Sequence, residues 1–221
     1  MANPEVLDVP SPREYEGQFG TFTITPKDRY GVVIYRLGLL TAGLCFGLGT
    51  GLVLGVGPQD WVLHSLSWLF SGFWLALGVS LFTIHIYLLP LHRALQVFWA
   101  IGGIAALLVA HAWPTPFLQT VYEHPATIWG IGFSFAALTG IFFKEAFCFN
   151  RLETKALTPL VPLLLLGHLS GLLPLTWEQG LLFAWALLFG VFALRKCLQP
   201  IDPDIGDKSV FDYLKAQRAS G

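Results

Sequence analysis

The sequence has few charged residues: 12% of its 221 residues are Asp, Glu, Lys or Arg, whereas 54% are hydrophobic. Soluble domains carry about 25% charged residues, so this composition excludes an ordinary soluble globular protein. The formal net charge of −1 is uninformative, because in a membrane protein the location of the charges matters more than their sum. A mean hydropathy of +0.62 predicts an all-α polytopic membrane protein, whose partners are the lipid bilayer and membrane-protein subunits, with no nucleic acid.

The sequence also lacks paired cysteines. The three cysteines, Cys45, Cys148 and Cys197, form no CxxC or CxxH pair and no disulfide framework. The first thirty residues are polar, so we expect no cleavable signal peptide. The first apolar run, which begins near Val32, is then expected to direct its own insertion.

Catalytic signatures are absent where a membrane enzyme would show them. The rhomboid-type G-x-S-G motif is missing, since Gly132-Phe-Ser-Phe does not match it, and neither H-E-x-x-H nor a P-loop occurs. An inverted-repeat transporter would contain matching broken helices, and no convincing repeat relates residues 32–112 to residues 126–199. We therefore predict a protein that is not an enzyme.

Six apolar segments predict six transmembrane helices, because each is near the 20 or so residues that the bilayer's hydrocarbon core requires. The first helix is expected to begin at Thr25-Pro26-Lys27-Asp28. In this stretch Thr is the N-cap residue, Pro is the first residue of the helix and Asp is the third. In the fifth segment, Pro159 and Pro162 predict a kink or a late helix start. The segments run from about 32 to 56, 61 to 89, 95 to 112, 126 to 143, 157 to 173 and 181 to 198.

The positions of the cations predict the orientation. All thirteen Lys and Arg residues lie before or at the start of the first segment, in the second or fourth connection, or at the end of the sixth segment and beyond. By the positive-inside rule, this distribution places both termini on the cytoplasmic side. The predicted domains are a polar N-terminal segment (1–25), a six-helix transmembrane domain (26–199) and a cytoplasmic tail (200–221) with a short helix that begins at Ser209.

Glycines recur every fourth residue in the first segment. On a helix this spacing forms one bare stripe, and small residues let a second helix approach closely within a bilayer. We interpret these residues as a helix-packing or partner-binding surface. This glycine ladder consists of Gly43, Gly47, Gly51 and Gly55, and a second small-residue stripe consists of Gly132, Ala136 and Gly140.

Polar residues near the predicted cytoplasmic ends of the segments are candidates for a site that contacts a partner or an anionic ligand. The charged pair at positions 144 and 145 is notable because apolar residues flank it on both sides. The alternative is that these side chains simply end a span by reaching to the interface. The candidates on this side are Arg36, His85, His92, Lys144 and Glu145.

The histidines raise a cofactor question. His85 and His92 are seven residues apart, so they share a helical face only if the helix continues through Pro90. His168 lies in the outer half of the fifth segment, where an ionisable group is costly unless it has a partner. No H-x-x-x-H or H-x-x-E pair occurs, so a metal or tetrapyrrole would need ligands from separate helices. The sequence specifies no metal and leaves the cofactor, if there is one, unknown.

Four stretches carry a resemblance to a known family. They are Glu16-Gly-Gln-Phe-Gly-Thr-Phe-Thr-Ile-Thr, Tyr30-Gly-Val-Val-Ile-Tyr-Arg-Leu-Gly-Leu, Phe143-Lys-Glu-Ala-Phe-Cys-Phe-Asn-Arg and Asp207-Lys-Ser-Val-Phe-Asp-Tyr-Leu-Lys. With these stretches the chain resembles a family of uncharacterised integral membrane proteins found mainly in cyanobacteria. The resemblance implies a thylakoid or plasma membrane and a role near photosynthetic complexes, but it implies no activity.

Three functions are compatible with these observations. The leading hypothesis is a non-enzymatic accessory or assembly factor of a membrane complex, which in a thylakoid would be a photosynthetic one. The first alternative is a small-solute or ion transporter with His168 and Arg36 on its pathway. The second alternative is a haem or pigment-binding membrane protein that uses His168, His85 or His111.

Overall fold

The computed structural model describes residues 14–86 and 88–219. The chain forms two compact units: one combines the residues up to Val33 with those from Pro200 onward, and the other comprises Ile34–Gln199. We call these the terminal unit and the membrane unit. The predicted N-terminal segment falls partly outside the described residues, because its first 13 positions are not among them.

The described chain is mainly helical, as the all-α prediction requires. The two short strands β1 (Glu14–Gly17) and β2 (Gly20–Thr23) pair antiparallel near its start. The helices are α1 (Pro26–Gly55), α2 (Asp60–Thr83), α3 (Leu89–Ala112), α4 (Phe117–Glu123), α5 (Ile128–Phe149), α6 (Leu152–Leu169), α7 (Leu175–Leu198), α8 (Asp202–Ile205) and α9 (Ser209–Ala219), and a 3₁₀ turn at Pro125–Thr127 precedes α5.

Five helices within the described residues are long and apolar enough to cross a membrane: α1, α2, α3, α5 with its preceding 3₁₀ turn, and α7. These helices confirm a polytopic membrane protein. The fifth apolar segment of the sequence forms α6, which has 18 residues and carries Glu153 and Lys155 in its first turn. The count of six spans and the cytoplasmic location of both termini remain predictions.

The connection between α2 and α3 separates two of the candidate histidines. α2 ends at Thr83, earlier than the predicted end near 89, and α3 starts at Leu89 with Pro90 in its first turn. Proline lacks an N–H group and is tolerated there because the first turn has no intrahelical acceptors for it to bond. His85 therefore lies in the connection and His92 on α3, so the two do not share one helical face.

α6 differs from its prediction in a similar way. The helix begins at Leu152, and Pro159 and Pro162 both lie inside it, so a late helix start is wrong, whereas the alternative, a kink, stays a prediction. Proline removes an intrahelical hydrogen bond, but transmembrane helices tolerate it when neighbouring helices hold the backbone in place. α6 packs between α5 and α7, which provide that support.

Reciprocal contacts between two tryptophans join α2 to α3. The indole of Trp74 donates to the carbonyl oxygen of Trp99 at 3.0 Å, and the indole of Trp99 donates to the carbonyl oxygen of Trp74 at 2.8 Å. The rings are stacked, with centroids 4.3 Å apart. A side chain at Gly78 would overlap the ring of Trp99, and one at Gly103 would overlap the ring of Trp74. Glycine at both positions is therefore required for this packing.

An aromatic core fills the membrane unit. Phe142 and Phe189 are fully buried there, and Trp185 packs edge-on against Phe135 with ring centroids 5.2 Å apart. Such pairs add to the dispersion contacts that hold helices together in lipid, where the hydrophobic effect between helices is weak. The central aromatic residues are Phe46, Phe73, Phe135, Phe142, Trp185 and Phe189.

In the terminal unit, a reciprocal cap confirms the predicted start of α1. The backbone N–H of Thr25 donates to the carboxylate of Asp28 at 2.8 Å, and the N–H of Asp28 donates back to the Thr25 hydroxyl at 3.3 Å. This is the capping box that the sequence predicted. Lys208, from the chain's end, bonds the same carboxylate at 2.8 Å and the carbonyl oxygen of Thr23 at 3.0 Å.

The tail of the terminal unit also bonds the strand hairpin. The Asp207 carboxylate accepts the backbone N–H of Gln18 at 2.6 Å and the hydroxyl and N–H of Ser209. Slight burial opposes ionisation, but these hydrogen bonds outweigh it and hold the pKa of Asp207 below its usual value. The rings of Phe19 and Tyr213 stack with centroids 4.0 Å apart. Hairpin and tail thus form one compact unit.

Candidate functional site

A buried ion cluster lies at the end of the membrane unit where α5 and α7 finish. We call Tyr35, Lys144, Glu145, Phe149 and Lys196 the Glu145 cluster. The carboxylate of Glu145 has no exposed surface and accepts hydrogen bonds from Lys196 Nζ at 2.6 Å, Lys144 Nζ at 2.9 Å and the Tyr35 hydroxyl at 3.1 Å. Short, multiple, charge-assisted bonds of this kind offset the cost of burying a carboxylate.

The ring of Phe149 brings the cations of this cluster together. Lys196 Nζ lies 4.0 Å from the ring centroid, and Lys144 Nζ lies 5.3 Å from it. Attraction to an aromatic face contributes most where water is excluded. Lys196 is fully buried. The ring and the carboxylate therefore both stabilise its charged amine.

The helical pattern explains why these two charges meet. Leu138, Ile141 and Phe142 have no exposed surface, and Glu145 continues the same face of α5. On α7, the buried positions 189, 192 and 193 lead in the same way to Lys196. Each helix therefore presents an apolar stripe that ends in a charge, and the two charges have opposite signs.

A ring of arginines surrounds the cluster at this end. Arg36 donates to the backbone carbonyl of Gln199, and Arg151 donates to the side-chain oxygen of the same glutamine. Arg195 donates to Glu153 at 2.9 Å, and Arg151 lies 3.7 Å from the other oxygen of that carboxylate. These bonds join the start of α1 within the membrane unit, the start of α6 and the end of α7.

Of the candidate polar residues, the structure brings Arg36, Lys144 and Glu145 to this one end. His92 is bonded instead to the carbonyl oxygen of Leu81, 2.6 Å from its Nε2, and His85 lies in the α2–α3 connection. The sequence reasoning did not place Tyr35 or Lys196 in the site. For Lys196, the sequence does contain a signal: an apolar stripe on α7 leads to it, and a charge at the end of such a stripe needs a partner.

A second polar group, the His168 cluster, consists of His168, Glu178 and Tyr122. His168 Nδ1 lies 2.7 Å from Glu178 Oε1, and its Nε2 lies 3.1 Å from the carbonyl oxygen of Tyr122. The Tyr122 hydroxyl donates to Glu178 Oε2 at 3.3 Å, and its ring stacks on the imidazole. Partial burial, and then the charge of Glu178 and its hydrogen bond, raise the pKa of Tyr122.

The two clusters lie at opposite ends of the membrane unit. α6 starts beside Glu153 and carries His168 at its other end, and its 18 residues correspond to about 27 Å of helix. His168 is therefore not part of a common site with Arg36, Lys144 and Glu145. The partner that an ionisable group at this depth requires is Glu178, from the first turn of α7.

The glycine ladder divides into a packed part and an open part. A Cβ atom at Gly43 would lie 3.4 Å from the Cβ of Ala193, so this position faces α7. At Gly47, Gly51 and Gly55, no described atom beyond the glycine's own surroundings lies within 4 Å of such a Cβ. The helix that packs against α1 at Gly43 is thus α7.

The second small-residue stripe also has mixed roles. A side chain at Gly140 would overlap Leu95 of α3, so this glycine allows α3 and α5 to approach closely. At Gly132 the nearest such atom, at 3.4 Å, belongs to Ile128 of the same helix. Ala136 lies between them and is partly exposed. Only part of the stripe therefore serves packing within this chain.

These arrangements limit the chemistry that the described residues support. No three His, Cys, Asp or Glu side chains in residues 14–86 and 88–219 come together as metal ligands. The Glu145 cluster holds charges by pairing them, and the aromatic core lies between it and the His168 cluster. The membrane unit therefore has an apolar interior, a polar cluster at each end and one helix, α1, whose glycine stripe is partly uncovered.

Comparison with known proteins gives one match. A family model described as "Uncharacterized integral membrane protein (DUF2301)" matches residues 79–213. No curated protein and no solved structure matches the chain. The matched range contains Lys144, Glu145, Lys196 and the whole His168 cluster, whereas the glycine ladder lies before it.

Proposed function

The chain belongs to the family of uncharacterised integral membrane proteins (DUF2301), and from that premise we propose that it is a non-enzymatic accessory or assembly factor of a membrane complex. In this proposal the protein binds a transmembrane helix of another subunit along α1. Association between helices in lipid depends on close van der Waals packing, which small residues permit.

The observation that carries the proposal is the open part of the glycine ladder. Gly47, Gly51 and Gly55 continue the stripe that at Gly43 receives α7, yet nothing in the described chain covers them. Interior glycine costs a helix about 1 kcal/mol relative to alanine. These three glycines have no evident role in the packing of the described chain. Contact with a helix of a partner protein would give them a role.

The resemblance to cyanobacterial proteins extends the proposal to a location. We place the protein in a thylakoid or plasma membrane, with the Glu145 cluster on the cytoplasmic side and the His168 cluster on the other. The described cations of the membrane unit support this orientation, because they lie at the helix ends near the Glu145 cluster. The complex that it serves would then be a photosynthetic one.

The interior of the membrane unit favours an accessory role over a transporter. A transporter needs a polar route past the middle of the bilayer. Between the two polar clusters, the described interior is occupied by side chains such as Phe73, Phe135 and Trp185. The rings of His111 and His168 already have protein partners: His111 bonds the Leu107 carbonyl, and His168 bonds Glu178 and the Tyr122 carbonyl.

The proposal is tested by affinity purification in mild detergent, followed by mass spectrometry of the proteins that co-purify. The wild-type protein is compared with the double variant Gly47→Leu, Gly51→Leu. Because the space beside both glycines is open and leucine favours a helix more than glycine does, we expect the variant to fold with a thermal stability no lower than that of the wild type. The amount of partner that co-purifies with the variant should be at least about tenfold lower than with the wild type. A tenfold change in affinity corresponds to about 1.4 kcal/mol of lost packing.

Gly180→Leu is the matched control, since this glycine of α7 also has open space and lies outside the ladder. It should retain the partner. Recovery of the wild-type protein alone in every mild detergent would overturn the proposal, and so would equal partner recovery by the ladder variant.

A further inference from the structure

We propose that the His168 cluster is a proton-dependent latch between α4, α6 and α7. The latch is closed when both nitrogens of the His168 ring carry a proton, and it opens at the Tyr122 contact when the ring loses one of them. This inference does not rest on the proposed function, because it concerns a different end of the molecule and different residues.

The two acceptors determine the protonation of the ring. His168 Nε2 faces the carbonyl oxygen of Tyr122 at 3.1 Å, and Nδ1 faces Glu178 Oε1 at 2.7 Å. A carbonyl oxygen can only accept a hydrogen bond, and an ionised carboxylate likewise only accepts. Both ring nitrogens must then donate, which they do together only in the imidazolium form.

The carboxylate of Glu178 lies beside two hydrogen-bonding partners. Its second oxygen accepts the hydroxyl proton of Tyr122 at 3.3 Å. Burial and the negative charge of Glu178 raise the pKa of Tyr122, which keeps this phenol protonated and able to donate. The carboxylate thus receives two hydrogen bonds, and the 2.7 Å contact with His168 is as short as charge-assisted bonds usually are.

Loss of one proton makes the closed geometry unfavourable. A neutral imidazole has one N–H group, and its other nitrogen is an acceptor. That acceptor must face either the Tyr122 carbonyl or the Glu178 carboxylate, so one hydrogen bond is replaced by contact between two electron-rich atoms. The proton leaves to solvent, which reaches this partly exposed ring.

The fold determines which contact opens. A tight turn joins α6 to α7: Gly171 has φ +66°, and Leu173 fills the space beside Gly167. Glu178 is therefore held near His168 by the chain itself. Tyr122 is half exposed on a separate short helix, so its carbonyl is the contact that separates.

The rest of α4 stays anchored when the latch opens. Phe117 is buried and packs on Phe70, with ring centroids 4.9 Å apart, and Thr120 is fully buried. The N-terminal half of α4 is therefore fixed by apolar packing, whereas its C-terminal end is held by the latch. Opening exposes backbone amides from Tyr122 to about residue 127.

Few other ionisable groups act on the latch. On the side of α4 they are Glu123, bonded by Gln119 at 2.8 Å, and His124, whose ring lies 5.9 Å from that of Trp113. The described parts of α6, α7 and α5 that pack here add only Glu178. The single charge that changes within hydrogen-bond reach of Glu178 is thus that of His168.

The protonation is tested directly with protein labelled with ¹⁵N-histidine in lipid nanodiscs. Ring ¹⁵N spectra are recorded from about pH 5 to about pH 8, the range in which imidazoles titrate, and His168→Gln assigns the signal. We expect two protonated nitrogens at the acid end and one at the alkaline end. A His168 ring with a single protonated nitrogen at every pH would overturn the latch.

The opening is tested by amide hydrogen exchange of residues 122–127, with wild type and Glu178→Gln compared at the same pH so that intrinsic exchange rates cancel. Glu178→Gln keeps the side-chain volume but replaces the carboxylate with an amide, whose N–H group can donate to Nδ1 of a neutral ring while Nε2–H still donates to the Tyr122 carbonyl. The variant should therefore keep this contact when the ring loses a proton. From the acid end to the alkaline end, wild-type exchange relative to the variant should rise about tenfold, which corresponds to the loss of about 1.4 kcal/mol.

His111→Gln is the control, since the ring of His111 bonds only the Leu107 carbonyl of its own helix, at 2.8 Å. This variant should behave as wild type at both pH values. A difference between wild type and Glu178→Gln that is the same at both pH values, or absent at both, would overturn the proposal.

Discussion

The two polar clusters of the membrane unit both hold a carboxylate, but they hold it with different partners. Glu145 is fully buried between two lysines that both donate to its carboxylate. Glu178 is slightly exposed and faces a histidine and a tyrosine hydroxyl. The Glu145 cluster is therefore a fixed connection between helices, whereas the His168 cluster can change with the proton concentration. The same chain thus combines a permanent and a switchable end.

The largest expected effect is that of Glu145→Gln. The variant removes the negative charge between Lys144 and Lys196 in a site without exposed surface, so we expect the free energy of unfolding to fall by about 3 kcal/mol. Unfolding in mixed detergent micelles measures it. The double variant Glu145→Leu, Lys196→Met should lose less than Glu145→Gln alone, because it removes both charges of the fully buried Glu145–Lys196 pair and leaves only Lys144, which is partly exposed. A loss below about 1 kcal/mol for Glu145→Gln would contradict a fixed ionic connection.

The corresponding change at the other end, Glu178→Gln, should cost about half as much. Its hydrogen bond with His168 is charge-assisted but partly screened by solvent, which limits its contribution to about 1.5 kcal/mol. The same unfolding assay at acid pH measures this loss. If Glu178→Gln proved more destabilising than Glu145→Gln, the assignment of the permanent and the switchable end would have to be reversed.

Removing the neutral donor at the buried end should have a smaller effect. Tyr35→Phe deletes only the hydroxyl that bonds Glu145 at 3.1 Å, and a single neutral hydrogen bond contributes about 1 kcal/mol. The ring stays in place, so the unfolding assay reports the loss of this hydroxyl alone. A loss larger than that of Glu178→Gln would contradict the assignment of one neutral hydrogen bond.

The smallest expected effect is that of Tyr122→Phe, at about 0.5 kcal/mol near neutral pH, because this tyrosine is half exposed. The raised pKa of Tyr122 gives the sign of its pH dependence. Its contribution is fully present below the ordinary tyrosine pKa of 10.0 and is lost as the pH rises through the raised value. Tyr122→Phe should lack this alkaline loss of stability, which unfolding measured above pH 10.0 tests.

Much of the fold was predictable because apolar length and caps are local signals. The capping box at Thr25 and Asp28 and the start of a short helix at Ser209 depend on neighbouring residues, and the structure confirms both. The short helix α4 was not predicted, since its seven residues lie inside a connection and only Phe117 and Thr120 are well buried. Their burial depends on α2 and α3, which no local pattern shows.

The sites were less predictable than the helices, because their partners come from distant parts of the chain. Lys144 and Glu145 were recognisable as a charged pair among apolar residues, but Lys196 is 51 positions away and was counted as a terminal cation. His168 was expected to need a partner, and only the fold identifies Glu178. The proline at position 90 did separate His85 from His92, which shows that a known local rule can exclude a site.

The two-residue connection between α5 and α6 has a consequence for biogenesis. Asn150 adopts a left-handed conformation, φ 53°, and only Arg151 follows it before α6 begins. α6 carries charges in its first turn and two prolines, so it is a weak insertion signal alone, whereas α5 is strongly apolar. We expect the insertion machinery to receive both as one hairpin, with α5 carrying α6 into the lipid. We expect α6 that is made without α5 to remain outside the lipid.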